Sequence, residues 1–255
     1  MNDVMIVSEH FLMSLAFSMS IFSIIASSRM TGAGFIKLAT SVSGGCGLLA
    51  LALHLRYGLW QSPQSLSIIT YLVSSVLAYA FHRDGKGPVM WFVWLVQVLS
   101  MTSAMWVFHN AHSENFFWAV SSAGLVGIVT YAMVLGHWYL VVPKLSEKPL
   151  VIATVILWVI MLVKVSWTGL ETFENANYFE SGTMKGAGYS FNILMLSMRV
   201  AWGYLVVGVM SWFAWRLIRM RSIQSATGML YAMTFFVLVG ELMAQFMFFK
   251  YGMLM

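Results

Sequence analysis

Eight long apolar stretches follow one another along this chain, and they restrict it to very few folds. Each holds about 20 mostly apolar residues, the length of a helix that crosses the hydrocarbon core of a bilayer. The stretches run over residues 8–28, 34–55, 65–82, 88–109, 116–142, 150–170, 190–216 and 227–249. A segment in lipid must satisfy its own backbone polar groups, so stretches of this length are helices. The sequence therefore predicts an all-α, polytopic integral membrane bundle of eight transmembrane helices.

The composition agrees with a chain whose solvent is largely lipid. Hydrophobic residues make up 60% of the chain and charged residues only 9%, whereas soluble domains carry about 25% charged residues. The longest predicted loop, residues 171–189, is too short to build a core of its own. Residues 1–255 are therefore expected to form a single transmembrane domain. The N-terminal segment lacks a basic region and a clear cleavage site, which predicts a retained helix.

Cysteine usage and the absence of known motifs exclude several classes of function. The single cysteine, Cys46, excludes an internal disulfide, a cysteine-ligated iron–sulfur cluster and a C-x-x-C-H haem attachment. The sequence contains no phosphate loop, nucleophile elbow or H-E-x-x-H motif. The net charge of +5 is spread over loops, so no nucleic-acid partner is predicted.

The lysines and arginines outside the deep apolar stretches are distributed unevenly between the two sets of loops. The second, fourth and sixth loops and the two chain ends, which share the other side, hold only Arg56, Lys185 and Lys250. The odd-numbered loops and their edges hold Arg29, Lys37, Arg83, Lys86, Lys144, Lys148, Arg216, Arg219 and Arg221. Because positively charged loops stay in the cytoplasm, both termini are expected outside.

Two opposite charges lie at the same depth in the last two helices. At 1.5 Å per residue, Glu241 lies roughly 12 Å and Arg199 roughly 13 Å inside the outer ends of their helices. An isolated charge at such a depth is costly, and pairing across helices relieves part of the cost. Glu241 and Arg199 are therefore expected to face the bundle interior and to meet there. A purely structural clamp and a catalytic pair both remain open.

A third deep charge, Lys164, lies in the outer half of the sixth helix. Its long side chain can reach the outer interface, so snorkelling is the favoured interpretation. A role in ligand binding is the alternative.

Four histidines, His10, His54, His109 and His112, lie near the outer ends of their helices. A b-type haem needs two imidazoles that face each other from different helices. His54 with His109 is a candidate pair and His10 a third candidate, but ordinary hydrogen bonds at the interface are the favoured interpretation. His109 and His112 share a helix face, yet no third ligand stands at a fixed spacing, so no metal site is predicted.

The C-terminal quarter resembles a known family. The ending "VLVGELMAQFMFFKYGM" resembles the last helix of the DmsC-type membrane anchors of bacterial molybdopterin oxidoreductases, which carries a G-E-L…R…F-Y pattern. The segment "MLSMRVAWG" resembles the penultimate helix of that family with its arginine, and the family also has eight helices with both termini outside. Two features depart from the pattern. Gln245 stands where the family has a basic residue, and "HLRYGLWQSPQ" matches only loosely the His-Leu-Gly-x-Pro segment after the second helix.

The resemblance implies a membrane anchor subunit of a respiratory electron-transfer complex in the bacterial inner (cytoplasmic) membrane. Such an anchor exchanges electrons and protons with quinone, and haem b stays open as a second cofactor. Gly240, Glu241 and Arg199 are the residues that match. The residues alone point the same way, because a quinone site needs a hydrogen-bond donor and a proton-exchanging group close to lipid. Glu241, Arg199, Lys164 and the outer histidines can supply both.

An anchor of this kind also needs a soluble or peripheral electron-transfer subunit, expected on the basic inner face. The residues of that face are Arg83, Lys86, Lys144, Lys148, Arg219 and Arg221. The positive-inside rule alone also explains these charges.

Two other classes of function stay open. A proton-coupled transporter or channel would line a polar path with Glu241 and Arg199, and would favour paired Gly or Pro interruptions near the midplane. A non-catalytic assembly protein would need neither.

Overall fold

A computed structural model of the chain describes residues 2–26, 28–56, 58–81, 87–142 and 145–255. Within these ranges the chain forms helices and no strand, and eight helices are long and apolar enough to span a membrane. They are α1 (Asn2–Phe22, continued by a 3-10 turn at Ser23–Ile25), α2 (Ala33–His54), α3 (Pro63–Phe81), α4 (Pro88–Phe108), α5 (Ser113–Val141), α6 (Lys148–Glu174), α7 (Tyr189–Arg219) and α8 (Ile223–Tyr251). The all-α, eight-helix prediction is confirmed, whereas the side on which the termini lie stays a prediction.

A reporter fusion tests the predicted orientation. A reporter fused after Met255 should be active only outside the cytoplasm, because the Lys/Arg asymmetry places the odd-numbered loops inside. The matched control is a fusion after Arg221, in the loop between α7 and α8, which should report a cytoplasmic position. Cytoplasmic activity of the Met255 fusion would reject the orientation.

The first helix begins earlier than predicted, and this changes the position of two polar residues. It starts at Asn2 instead of residue 8, with Asp3 in its first turn. A carboxylate there interacts favourably with the positive end of the helix dipole, and the apolar residues 4–7 extend the helix. The expectation that His10 opens the helix is wrong, since Glu9 and His10 lie about two turns inside it. The bounds of α2–α8 differ from the predicted ones by four residues or fewer.

The centre of the bundle is α5, the most buried of the eight spans, which packs against α1, α6 and α8. Two apolar clusters fill the interior, one towards each end. Along α8, Val237 belongs to one cluster and Ala244 to the other, and Glu241 lies between them. A polar layer therefore separates the two apolar halves of the core. It lies nearer to the end of the bundle that carries both termini, called the termini end below.

One spanning helix changes its winding in the middle. Helix α7 is α-helical over Tyr189–Met198 and Val207–Arg219, and π-helical over Arg199–Val206 between them. A π-helical turn bonds residue i to i+5, is rare, and occurs frequently at functional sites. The wider turn begins at Arg199, the buried arginine of the polar layer.

Candidate functional site

A buried ion pair lies at the centre of the polar layer. The Arg199 guanidinium donates from Nη2 to Oε1 of Glu241 over 2.6 Å, and both side chains are fully buried. The expectation that the two residues face the interior and meet is confirmed. A buried charge is tolerated only when it is paired and hydrogen-bonded. Arg199 and Glu241 therefore fix how α7 and α8 face each other.

Two glycines allow these helices to approach closely at the ion pair. Gly203 lies in the π-helical turn and Gly240 precedes Glu241 in α8. A Cβ atom built on Gly240 would lie only 2.7 Å from the Gly203 Cα atom, a contact that real Cβ atoms do not make. Small residues at helix crossings permit this kind of backbone approach in membranes. The close crossing brings the Arg199 side chain within reach of Glu241.

Two hydroxyl groups lie next to the ion pair. The Arg199 guanidinium carbon lies 4.5 Å from the centroid of the Tyr204 ring, within the range of a cation–π contact. The Tyr204 and Thr168 hydroxyls share a hydrogen bond of 2.7 Å, in which either can be the donor. Charge on the ion pair therefore acts directly on the phenol, and through it on the threonine hydroxyl.

The same two hydroxyl-bearing residues line a cleft between α6 and α7. Its volume is about 650 Å³. The walls are otherwise mostly apolar, with Met161, Val165 and Gly169 from α6 and Leu196, Val200 and Leu205 from α7. The cleft runs along the second half of α6 and the middle of α7, and the exposed side chains of Leu205 and Val209 lie at its edge, so it faces the hydrocarbon. An apolar molecule dissolved in the bilayer can enter it and lie against Tyr204 and Thr168.

Lys164 lies inside the bundle, and the expectation that it snorkels to the interface is wrong. Its side chain is fully buried, and Nζ donates to the Ser122 hydroxyl over 2.8 Å. Nζ also lies 5.0 Å from the centroid of the Trp118 ring. The neighbours Val163 and Val165 occupy the exposed face of α6, so Lys164 points to the opposite side. It interacts electrostatically with Glu241 and Arg199 and belongs to the same polar layer.

Among the four predicted histidines, the structure brings His10 and His109 together. Their ring centroids are 5.1 Å apart in an edge-to-face arrangement, and both side chains are buried. Burial, and to a smaller extent the neighbouring His10 ring, lowers the pKa of His109 to about 3. His109 is therefore a neutral imidazole at physiological pH. His112 is exposed at the start of α5 and does not join the pair.

His54 lies in a different contact, with Glu9. Its Nδ1 atom is 2.9 Å from Glu9 Oε1, and its Nε2 atom is 3.1 Å from the Ser62 hydroxyl. Gln64 donates to the same Glu9 oxygen over 2.6 Å. For His54, these contacts agree with a histidine held in ordinary hydrogen bonds, which was the favoured interpretation of the sequence.

The four histidines do not fit a bis-imidazole haem. An axial ligand must direct a free imidazole nitrogen at the iron, and the two ligands must face each other across the porphyrin. Both nitrogens of His54 are engaged by Glu9 and Ser62. His10 and His109 touch edge to face, with Phe108 and Phe249 packed around them, which leaves no room for a porphyrin between them. Haem b is therefore left out of the function proposed below.

The predicted basic docking face is only partly described. Arg83, Lys86 and Lys144 lie outside the described residues. Arg221 makes an exposed contact with Glu147 at 3.5 Å, and Arg219 lies over the Trp215 ring at 5.7 Å. The docking role of this face stays a prediction.

Several residues of the site were not singled out from the sequence. Tyr204, Thr168 and Ser122 are ordinary residues of spanning helices, and their sequence spacing carries no signal. Glu9 would have been found if α1 had been started at Asn2, because it would then be a charge inside a span. Gln245 was noted only as a departure from a family pattern, yet it is fully buried one turn after Glu241.

Comparison with known proteins finds no match for this chain, whether among family models, curated proteins or solved structures. The resemblance to DmsC-type anchors therefore stays a prediction. The class of protein that the fold defines is a multi-pass helical membrane protein.

Proposed function

We propose that this chain is a quinone-reactive membrane subunit of a respiratory electron-transfer complex in the bacterial inner membrane. One observation carries the proposal. Tyr204 and Thr168 belong to the lining of a cleft open to lipid, and their hydroxyls bond to each other beside a buried Arg–Glu pair. Respiratory quinones dissolve in the hydrocarbon of the bilayer, so they reach such a cleft without crossing water. A mostly apolar pocket with a few placed polar groups is the usual form of a small-molecule site.

The chemistry of quinone reduction assigns a role to each polar group. A quinone carbonyl oxygen accepts hydrogen bonds. Of the Tyr204 and Thr168 hydroxyls, which share one hydrogen bond, the one that accepts it keeps its own hydrogen to donate to the quinone. Reduction to quinol takes up two electrons and two protons, so the site also needs a proton-exchanging acid. Glu241 is that acid. Arg199 holds it in place and keeps its own protons, and water beside the pair would carry the proton from Glu241 to the Tyr204 phenol and the quinone oxygen. The positive guanidinium stabilises the negative charge that develops on the quinone oxygen.

The electrons must come from a redox partner. Glu241 lies ten residues from the termini end of α8 and 18 residues from its other end, which correspond to roughly 15 Å and 27 Å along the axis. A partner at the termini end therefore has the shorter electron path. The basic face predicted for attachment lies at the opposite end, so the path lengths count against that face as the place where electrons enter.

Filling the cleft should abolish binding of a quinone analogue. A Cβ atom on Gly169 meets nothing within 4 Å, so the side chain of Gly169→Leu can occupy the cleft without a clash. A short-chain ubiquinone analogue should quench the tryptophan fluorescence of the purified wild-type chain, and Gly169→Leu should remove this quenching. Gly228→Leu is the matched control, since a Cβ atom there also meets nothing within 4 Å and the residue lies outside the cleft. Equal quenching in wild type and Gly169→Leu would reject the cleft as the binding site.

The polar end of the cleft distinguishes a quinone head group from a lipid chain. Thr168→Val should lower the affinity for the ubiquinone analogue about tenfold, since the loss of one hydrogen bond costs ~1 kcal/mol or slightly more. Thr154→Val is its matched control, because Thr154 is a buried threonine of the same helix whose hydroxyl bonds back to the Leu150 carbonyl. Unchanged affinity in Thr168→Val would mean that the cleft binds only the apolar tail of the ligand and not its head group.

The π-helical turn favours a proton-coupled transporter as a second candidate. Transporters of this kind have helices that are interrupted near the midplane, and Arg199–Val206 interrupts α7. In the described part of the chain, the other spans have no such change in mid-span. Uptake of protons into liposomes that hold the purified chain and a trapped pH dye would favour this candidate. Quinone binding without proton uptake would favour the first.

A further inference from the structure

A row of buried polar side chains leads from the termini end to the ion pair. It consists of Glu9, His10, Gln245, Lys164 and Glu241, and is called the polar row below. Its first member contacts His54 and Gln64. These two residues lie at the last position of α2 and the second position of α3. The row therefore begins close to the aqueous face.

The middle of the polar row crosses from α1 to α6 and α8. The Gln245 amide lies beside the His10 imidazole, and His10 is close enough to Lys164 to interact with it electrostatically. The Trp118 ring connects the same two residues, since it stacks on His10 at 6.1 Å and receives the Lys164 ammonium at 5.0 Å. Lys164 in turn interacts electrostatically with Glu241. Glu9 and His10 are thus neighbours in sequence, His10 is linked to both Gln245 and Lys164, and Lys164 is linked to Glu241.

Most of the row consists of polar atoms that no protein group satisfies. Within the described ranges, no protein hydrogen bond of standard length and angle reaches Glu9 Oε2, Glu241 Oε2 or the polar side-chain atoms of His10 and Gln245, although the Gln245 amide lies beside the His10 ring. Buried polar groups are nearly always hydrogen-bonded, and leaving one unpaired is unfavourable. Here these atoms belong to adjacent residues of one row. Buried water molecules commonly bridge such groups when the site is polar.

We infer that the polar row is a hydrated proton path between the aqueous face near Glu9 and the ion pair behind the cleft. This inference rests on the proposed function and names the route that supplies its protons. A proton enters at Glu9, moves along water and the His10 imidazole past Gln245 and Lys164, and arrives on Glu241. In quinone reduction the path delivers one proton for each electron that the redox partner supplies.

Deuterium exchange at Arg199 tests the path without any redox partner. In a background in which every other arginine is replaced by lysine, the guanidinium infrared band reports Arg199 alone. After transfer of the full chain to heavy water, deuterons should reach Arg199 through Glu241, which accepts its hydrogen bond. Gln245→Leu and His10→Phe should each slow this exchange by about tenfold, which corresponds to ~1.4 kcal/mol in the barrier. Exchange of the backbone amides in the same samples measures opening of the fold.

The controls separate a blocked path from a disturbed bundle. Gln97→Leu makes the same chemical change at a buried glutamine that bonds to Ser75, outside the polar row, and should leave the Arg199 rate unchanged. Replacing an unpaired polar group with an apolar one of similar shape is nearly neutral for stability, so Gln245→Leu should fold. Wild-type rates in both Gln245→Leu and His10→Phe would overturn the path. So would exchange of wild-type Arg199 at the rate of the slowest backbone amides.

The path and the proposed function can fail separately. Gly169→Leu should lose the ubiquinone analogue and keep the wild-type rate of Arg199 exchange. A wild-type chain that binds no analogue, but whose exchange is slowed by Gln245→Leu, would reject the quinone function and keep the path. If the wild-type chain binds the analogue, but deuterium exchange at Arg199 is unchanged by Gln245→Leu and by His10→Phe, the path is rejected and the quinone function is kept.

Discussion

Arg199→Ala should lower the free energy of unfolding by about 3–5 kcal/mol, because it leaves the Glu241 carboxylate buried without its partner. The ion pair is fully buried, and its atoms are 2.6 Å apart. The substitution also removes the cation–π contact with Tyr204. Denaturant titration of the purified chain in detergent micelles, followed by helical circular dichroism, measures the loss.

Two comparison variants make this expectation specific. Arg216→Ala removes an exposed arginine from the same helix and should change stability by about 0.5 kcal/mol or less. Glu241→Gln should be milder than Arg199→Ala, because the amide oxygen still accepts a hydrogen bond from Arg199. Equal losses in Arg199→Ala and Arg216→Ala would mean that the pair does not stabilise the fold. A larger loss in Glu241→Gln than in Arg199→Ala would contradict the same account.

The ion pair could be predicted from sequence because depth is a simple function of helix position. Arg199 and Glu241 lie in consecutive spans at matching distances from the same end, and facing lipid would be energetically unfavourable for either side chain. This argument requires only the approximate helix bounds, which were right to within four residues for α7 and α8. The number of spans was predictable for the same reason, since long apolar runs separated by polar loops can hardly be read otherwise.

The direction of a side chain around its helix was not predictable in the same way. Apolar residues precede and follow Lys164 in the sequence, so the sequence pattern does not show which face of α6 packs against the bundle. Snorkelling and burial were both compatible with its depth. The structure decides between them through Ser122 and Trp118, residues of another helix more than 40 positions away. Pairings of this kind depend on how helices are arranged, which periodicity alone does not specify.

The start of α1 shows a different failure, with a consequence for function. The predicted start of the first helix at residue 8 placed Glu9 at its very end, and so hid a buried carboxylate within a span. Once α1 starts at Asn2, Glu9 becomes an intramembrane acid, which is by itself a reason to look for a functional role. Its partners Gln64 and His54 come from other helices and follow only from the fold. The polar row is therefore a property of the arrangement, not of any motif.

The helix crossing at the ion pair leads to the last prediction. Gly240→Ala should destabilise the fold by about 1–3 kcal/mol, the usual effect of forcing an extra group into a packed interior. The new Cβ atom would lie 2.7 Å from the Gly203 Cα atom and 3.2 Å from its nitrogen. Both are backbone atoms of a spanning helix, so the two helices must separate. Alanine's better helix propensity, about 0.8–1.0 kcal/mol in water, offsets only part of this effect.

Gly203→Ala is the matched control on the other side of the same contact. Its Cβ atom would lie 3.4 Å from the Gly240 Cα atom and from Arg199 Nη1, distances that a small adjustment can accommodate. Gly203→Ala should therefore change the free energy of unfolding by less than about 1 kcal/mol, although it too places one alanine opposite one glycine at this crossing. Gly240→Ala should also lengthen the Arg199–Glu241 contact, because separating α7 from α8 moves the two side chains apart. Paired denaturant titrations measure the asymmetry, and equal effects of the two alanines would show that this crossing is not as close as described.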